Sequence, residues 1–420
     1  MRILFIALLL SGCSALTTPG SSGNQVDLLA DAVFTSSIKT VQLYPFKNDV
    51  TNVLLPAVVA INEQRLRLEF DDLTSSYQSY TIRITHCNSD WSKSSLANLD
   101  FLTEYNSFPV NQYAYSSDTH IPYVHYWFAV PRVKLSGNYV VTAYLDDTTP
   151  VFSKRFMVYE KQVQVGSIAD VSGASRLSNK QAISLFMQYS KLDVNNPATQ
   201  FEVNIRQNQR WDNMLVNIPP AFYRDAEKQI EYRVTDEQYM HDGGNEYRYI
   251  DLRTILTTTG QHITKVDRTA KPFTAYVDVD KSFEYDRYAL HLDFDGTYVI
   301  QNYDNSLQYS ENYVKTVFTL ALDKPLAQPV HLQGKLINNA FSKESEMQYD
   351  SARKEYRKEL LLKQGWYNYL YIVQDKNDPF RIEGNHFETE NSYEVLVYYK
   401  SLQPRADLLV GYLQFTKNPH

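Results

Sequence analysis

Apolar and polar residues alternate with a period of two along much of this chain. Thr81–Cys87 (TIRITHC), Asn138–Leu145 (NYVVTAYL), Ala275–Asp280 (AYVDVD), Val317–Leu322 (VFTLAL) and Tyr393–Tyr399 (YEVLVYY) all carry the pattern. A period of two turns one face of a segment toward a core and the other toward solvent, so each stretch predicts a strand. Lys154–Tyr159 predicts a further one. Asp350–Lys363 (DSARKEYRKELLLK) reads differently, being rich in helix formers with charges at helical spacing. Its end nevertheless runs through Gln364-Gly365 into the aromatic run WYNYLYIV, and that continuity predicts a short hairpin in place of a helix.

A recurring signature groups these strands. Gly137-Asn138-Tyr139, Gly296-Thr297-Tyr298 and Gly365-Trp366-Tyr367 each set Gly-x-Tyr at the head of a strand. In immunoglobulin-like sandwiches a tyrosine so placed closes the corner between two sheets, its hydroxyl bonding back to the backbone. Three such corners predict three modules, at residues 26–159, 160–312 and 313–420, the last resembling a glycogen-binding-type sandwich. The expected fold class is therefore all-β, built of tandem immunoglobulin-like β-sandwich modules. Composition agrees: 33 tyrosines, 14% aromatic residues and only 14 glycines suit pleated, half-buried surfaces.

The chain's start changes the cellular picture. Arg2 precedes the apolar run Ile3–Leu10, which is the size of a secretory signal core and too short to span a bilayer. Leu10-Ser11-Gly12-Cys13 resembles a bacterial lipobox, which makes residues 1–12 a lipoprotein signal peptide and Cys13 the lipid attachment point. Residues 13–25, poor in apolar side chains, read as a flexible tether. Ser14 after the cysteine, with no acidic cluster, resembles lipoproteins held at the periplasmic face of the outer membrane. With Cys13 lipidated, Cys87 has no intramolecular partner for a disulfide. The net charge of −7 and the lack of any lysine and arginine block argue against nucleic acid as a partner.

Chemistry is hard to find. There is no P-loop, GxGxxG, HExxH or GxSxG. His86 and Cys87 are consecutive on a strand and point to opposite faces, so they form no dyad, and His86 reads as a packed, hydrogen-bonded core histidine beside Ile82 and Ile84. His120 and His125 are an odd number of positions apart, which disfavours a zinc pair. Asp278 and Asp280 share a strand face and read as a solvated outer face opposite Val277 and Val279. Asp293-Phe294-Asp295-Gly296 lacks the rest of a calcium loop and reads as a turn before a strand. Gly243-Gly244-Asn245-Glu246 lacks the lysine and helix of a phosphate cradle and reads as a tight turn, with Arg248 salt-bridged nearby. Neither a catalytic or metal site nor a cofactor is expected.

Seven segments together carry a resemblance. They are His86–Trp91 (HCNSDW), Thr119–Tyr126 (THIPYVHY), Leu135–Tyr139 (LSGNY), Gln207–Asn213 (QNQRWDN), Gly243–Arg248 (GGNEYR), Leu362–Tyr369 (LKQGWYNY) and Glu383–Asn391 (EGNHFETEN). In this order the chain resembles the type IX secretion system plug protein family of Bacteroidetes. The resemblance implies a non-enzymatic role: binding the periplasmic mouth of the outer-membrane β-barrel translocon and closing it when no substrate is held. The tyrosine-rich stretch 109–127 supplies the expected contact residues Tyr113, Tyr115, Tyr123, Tyr126 and Trp127, because tyrosine offers buried area plus a hydroxyl. The alternative is an outer-membrane carbohydrate-binding lipoprotein. It is weakened by Ala340 and Phe341 standing where a sugar-stacking tryptophan would follow Asn339.

Overall fold

The computed structural model describes residues 27–47, 49–168, 179–258 and 260–419. The expected signal, the tether and Cys13 lie outside them. Nearly every element is a strand, and three separate apolar cores each lie between two sheets. Among the described residues no helix is long and apolar enough to cross a membrane.

In the first sandwich, Thr149–Tyr159, Gly137–Leu145 and Tyr80–Cys87 pair antiparallel in that order, with the short strands Ala32–Val33 and Phe108–Pro109 at the two ends. The opposing sheet runs Ile38–Pro45, Leu66–Asp72, Val124–Ala129 and Gln112–Tyr115. Ile82, Ile84, Val141, Phe152 and Phe156 from one sheet meet Leu68, Phe70, Val124 and Tyr126 from the other. The alternation read from TIRITHC and NYVVTAYL is this inward face.

The other two sandwiches interleave along the chain. Gln164–Ile168, Ser184–Gln188, Gln229–Tyr232 and Phe222–Arg224 form one sheet. Its facing sheet joins Phe201–Gln207 to the last two strands, Asn391–Leu402 and Arg405–Lys417. Between these lies the third sandwich, with Arg248–Asp251, Gly365–Val373, Tyr298–Ile300 and Val330–Gln333 on one side. Ile263–Asp267, Thr274–Val277, Tyr313–Ala321, Glu355–Lys363 and Gln348–Asp350 form its other side. A break at 312 therefore does not separate the cores: residues 250–382 share one, and the C-terminal hairpin returns to the core of residues 163–240. The reason is register. Val203 and Ile205 pair with Val397 and Val395 across nearly two hundred residues, a contact that local periodicity does not encode.

The hairpin expected near residue 350 is present. The Asp350 carboxylate accepts the Ala352 and Arg353 amides, Lys354 adopts a left-handed φ of 57°, and the strand Glu355–Lys363 returns antiparallel. An aspartate that captures two backbone amides stabilises a turn and competes with helix.

Two of the three tyrosine corners close. The Tyr139 hydroxyl donates to the Leu135 carbonyl at 2.7 Å, and that of Tyr367 to the Lys363 carbonyl at 2.5 Å. Tyr298 makes no such bond and stacks on Tyr367 with ring centroids 5.1 Å apart. Since a hydrogen bond contributes about 1 kcal/mol net, Tyr139→Phe and Tyr367→Phe should each lower unfolding free energy by about that much in urea denaturation. Tyr298→Phe should cost less than either.

Candidate functional site: an aromatic edge on a braced body

The strand Gln112–Tyr115 is the outer edge of its sheet, pairing only with Val124–Ala129 among the described strands. Tyr113 and Tyr115 are two positions apart and project together, 41% and 54% exposed. Tyr77, 40% exposed, packs on Tyr113 with ring centroids 4.6 Å apart, and Tyr113 meets Tyr115 edge-on at 5.9 Å. Tyr113 also lies 6.1 Å from Tyr126, a core ring stacked on Phe70. The rings thus form a row that leaves the apolar core and ends in solvent beside an unpaired strand edge. Such an edge presents backbone donors and acceptors, and the tyrosines present area with polar tips.

The five tyrosine and tryptophan positions expected to face a partner divide accordingly. Tyr113 and Tyr115 are on the surface. Tyr126 is fully buried, its hydroxyl accepting the Gln78 amide, and Tyr123 is 1% exposed, so neither offers a contact surface. Trp127 is half-buried and stacks on Tyr309 of the third sandwich. Alternation along Val124–Ala129 explains the split, since this strand lies one place in from the edge and is covered on both faces. Tyr77, which belongs to the exposed row, sits in a loop and carries no periodic signal.

Three junctions hold the sandwiches together, and the segments that carry the family resemblance build them. Between the first and third, Asp71 is 1% exposed and accepts hydrogen bonds from the Tyr313 hydroxyl and Lys363 Nζ, and pairs with His125 Nδ1, each at 2.7 Å. The Lys363 ammonium lies 4.1 Å from the centre of the Tyr123 ring, and Tyr123 donates to Glu311. His120, on the neighbouring bend, packs its ring 3.8 Å from that of Phe273.

Between the first and second, Trp91 meets Trp211 edge-on at 4.7 Å, with the Arg155 guanidinium against both rings. Ser89 donates its amide and hydroxyl to Asp407, and Tyr398 donates to Asn138. Arg206 lies 3.8 Å over Trp211 and is forked onto the buried Glu394. Cys87, Val140, Met157, Leu396 and Leu409 fill a small core beneath these contacts.

Between the second and third, the Gly243–Glu246 turn docks on Glu383–Asn391. Gly244 N donates to Asn385, His386 N to the Gly244 carbonyl, and Asn391 to the Gly243 carbonyl. A Cβ at Gly243 would lie 1.9 Å from the His386 carbonyl oxygen, so the turn requires glycine there. Arg248 donates to Glu383 and Asp280, the salt bridge expected beside this turn.

His86, Cys87 and Asp280, the side chains weighed for chemistry, are each packed into the fold. His86 packs between Phe101 and Tyr139, and burial holds its imidazole down at about 4. Cys87 faces the other core with its thiol pushed up to about 12 by burial. Asp280 is not solvated as its alternation suggested. The strand ends at Val277, Val279 swings out to 56% exposure, and Asp280 turns inward to accept from Arg248, Tyr369 and Tyr371. No group of three or more His, Cys, Asp or Glu among the described residues could hold a metal. Trp366 is no open sugar platform either: Tyr249 stacks on it at 4.3 Å and the Arg253 guanidinium lies 4.9 Å from its ring centroid.

A hypothetical protein from Parabacteroides merdae, 27% identical, has a crystal structure that superposes with a TM-score of 0.85 over 94% of this chain and 100% of its own. A structure of manganese lipoxygenase of Gaeumannomyces graminis with part of zonadhesin of Komagataella pastoris covers 91% of this chain and 93% of its own. It reaches a TM-score of only 0.14 at 9% identity and bears on nothing here. No curated protein is significantly similar. Residues 38–160 match the family model described as the Type 9 secretion system plug protein 1st domain, a span that corresponds to the first sandwich and its tyrosine edge. Residues 38–160 therefore carry the first domain of the type IX secretion plug protein family, which supports a role in that secretion system.

Proposed function

We propose that this protein is a non-enzymatic plug: it binds the periplasmic mouth of the outer-membrane β-barrel translocon of type IX secretion and closes it while no substrate is held. The match of residues 38–160 to the plug first domain carries this reading. Physical features support it. A plug must resist deformation, and the sandwiches are tied by the buried Asp71–Lys363 ion pair, the Trp91–Trp211 ring contact and the docked Gly243–Glu246 turn, not by flexible linkers alone. It must also offer a surface that gains from desolvation without aggregating, and a short tyrosine-bearing edge does so. Lipid attachment at Cys13 would hold the plug on the periplasmic face of the outer membrane and raise its effective concentration at the barrel.

Tyr113 and Tyr115 are assigned to the contact. Affinity-tagged wild type, the Tyr113→Ala/Tyr115→Ala variant and Cys13→Ala should be purified from solubilised outer membranes of the host and their partners identified by mass spectrometry. Wild type should recover a very large β-barrel. The double variant should lose at least tenfold of that recovery with unchanged thermal unfolding, as expected for removing two aromatic anchors from an interface. Full recovery by the double variant would move the contact elsewhere, and glycan-utilisation proteins in place of the barrel would overturn the plug reading.

A further inference from the structure

All three sandwiches contribute to one small cavity of about 60 Å³. Leu43, Ala57 and Met157 of the first, Trp211 of the second and Tyr298 of the third line it. Its charged lining is one-sided: Lys154, Arg155, Arg206 and Lys335 against a single carboxylate, Asp31.

The available anions are already engaged. Asp31 accepts from Lys154 Nζ at 3.1 Å and from the Arg155 amide at 2.7 Å. Arg206 is matched by Glu394 just outside the cavity. The Arg155 side chain donates Nε to the Leu29 carbonyl and lies against Trp91 and Trp211, with no carboxylate in salt-bridge contact among the described residues. Among the described residues, Lys335 Nζ donates only to the neutral Gln209 amide oxygen, at 2.5 Å. Four cations thus face two paired carboxylates, with Asp27 acting on Arg155 from outside the cavity lining, and an excess of buried positive charge is costly unless something negative enters or a proton leaves. Burial, with Lys154 and Arg206 close by, pulls the Lys335 ammonium down to about 7.

We infer that this cavity binds a small inorganic anion, a halide or a tetrahedral oxyanion, held between Lys335, Arg155 and Arg206 at the meeting point of the three sandwiches. The volume corresponds to only a few water-sized sites at about 10–15 Å³ each, enough for chloride or sulfate and too little for an organic acid of sugar size. Bound there, the anion offsets excess positive charge and acts as a removable staple. The inference does not depend on the plug reading.

Trp211 in the cavity wall provides the signal. Purified protein in sodium gluconate, an anion too large to enter, should be titrated with sodium chloride or sodium sulfate at constant ionic strength while tryptophan emission and thermal unfolding are followed. A saturable emission change is expected, with an unfolding temperature that rises as ligand binding to the folded state requires. Lys335→Met should abolish both responses and be at least as stable as wild type in gluconate, since it removes an uncompensated charge. Saturation by chloride alone, by sulfate alone or by both distinguishes the anions. A wild-type protein with no saturable response overturns the inference whether or not the variant folds, as does an undiminished response in Lys335→Met.

Discussion

Asp71→Ala should destabilise the protein by about 3–5 kcal/mol, the usual cost of stripping a buried charge of its partner. The substitution leaves the Lys363 ammonium, 3% exposed, without the carboxylate it bonds at 2.7 Å and with the more distant Glu311, at 3.8 Å, in its place, and removes the acceptor of Tyr313 and the partner of His125. The loss falls at the seam between first and third sandwiches, so unfolding in urea should also become less cooperative, as domains released from one another unfold separately. Asp71→Ala/Lys363→Met removes both charges and should recover much of the stability lost, because an apolar pair of similar volume can replace a buried ion pair.

Asp71 also sets an acid limit. Burial pushes its carboxyl up, but Lys363 and then His125 outweigh burial and hold it at about 2. A carboxyl depressed in the fold contributes stability above its unfolded value of about 4, and that contribution drains away as pH falls toward 2. Urea midpoints measured between pH 5 and 2 should therefore fall more steeply for wild type than for the double variant. Parallel curves would contradict this role of Asp71.

Arg248→Ala should cost a similar 3–5 kcal/mol, with the opposite pH behaviour. Arg248 gives Nε to Glu383, Nη1 to Asp280 at 3.0 Å and Nη2 to the Lys281 carbonyl at 2.8 Å, with its guanidinium 3.8 Å over Phe283. Without it, Glu383 keeps the Tyr371 amide and Asp280 the hydroxyls of Tyr369 and Tyr371, but no cation remains between them. Lysine should rescue little, since it lacks the fork that reaches three acceptors. Burial already holds the Glu383 carboxyl above its ordinary value against the pull of Arg248. With Arg248 gone, the Tyr371 amide is left to oppose that upward push and the carboxyl rises further. A carboxyl raised in the fold favours the protonated form, so its contribution is full at low pH and is lost as pH rises through the folded value. The gap between Arg248→Ala and wild type should therefore narrow as pH falls from 7 to 5; a widening gap would contradict the assignment.

These networks show what sequence could and could not reveal. The strands were legible because alternation is local, and the corners at Tyr139 and Tyr367 because Gly-x-Tyr places the hydroxyl four residues from its acceptor. Asp280 was misread because the alternation of AYVDVD continues through a point where the strand stops. The interleaving of second and third sandwiches was hidden because it depends on pairing Phe201–Gln207 with residues near 395. Asp71 gave no signal at all, its partner Lys363 being 292 positions away. The segments that carried the family resemblance do have a common physical meaning: GGNEYR docks on EGNHFETEN, THIPYVHY meets LKQGWYNY, and HCNSDW meets QNQRWDN through paired tryptophans. They brace the body.

Closure of the translocon is the central claim, and conductance tests it most directly. The purified outer-membrane barrel should be inserted in a planar bilayer and this protein added to its periplasmic side, with Tyr113→Ala/Tyr115→Ala as the comparison. Wild type should abolish the large open conductance at concentrations that leave the double variant without effect. A barrel that binds the wild-type protein and keeps its full conductance would contradict the account.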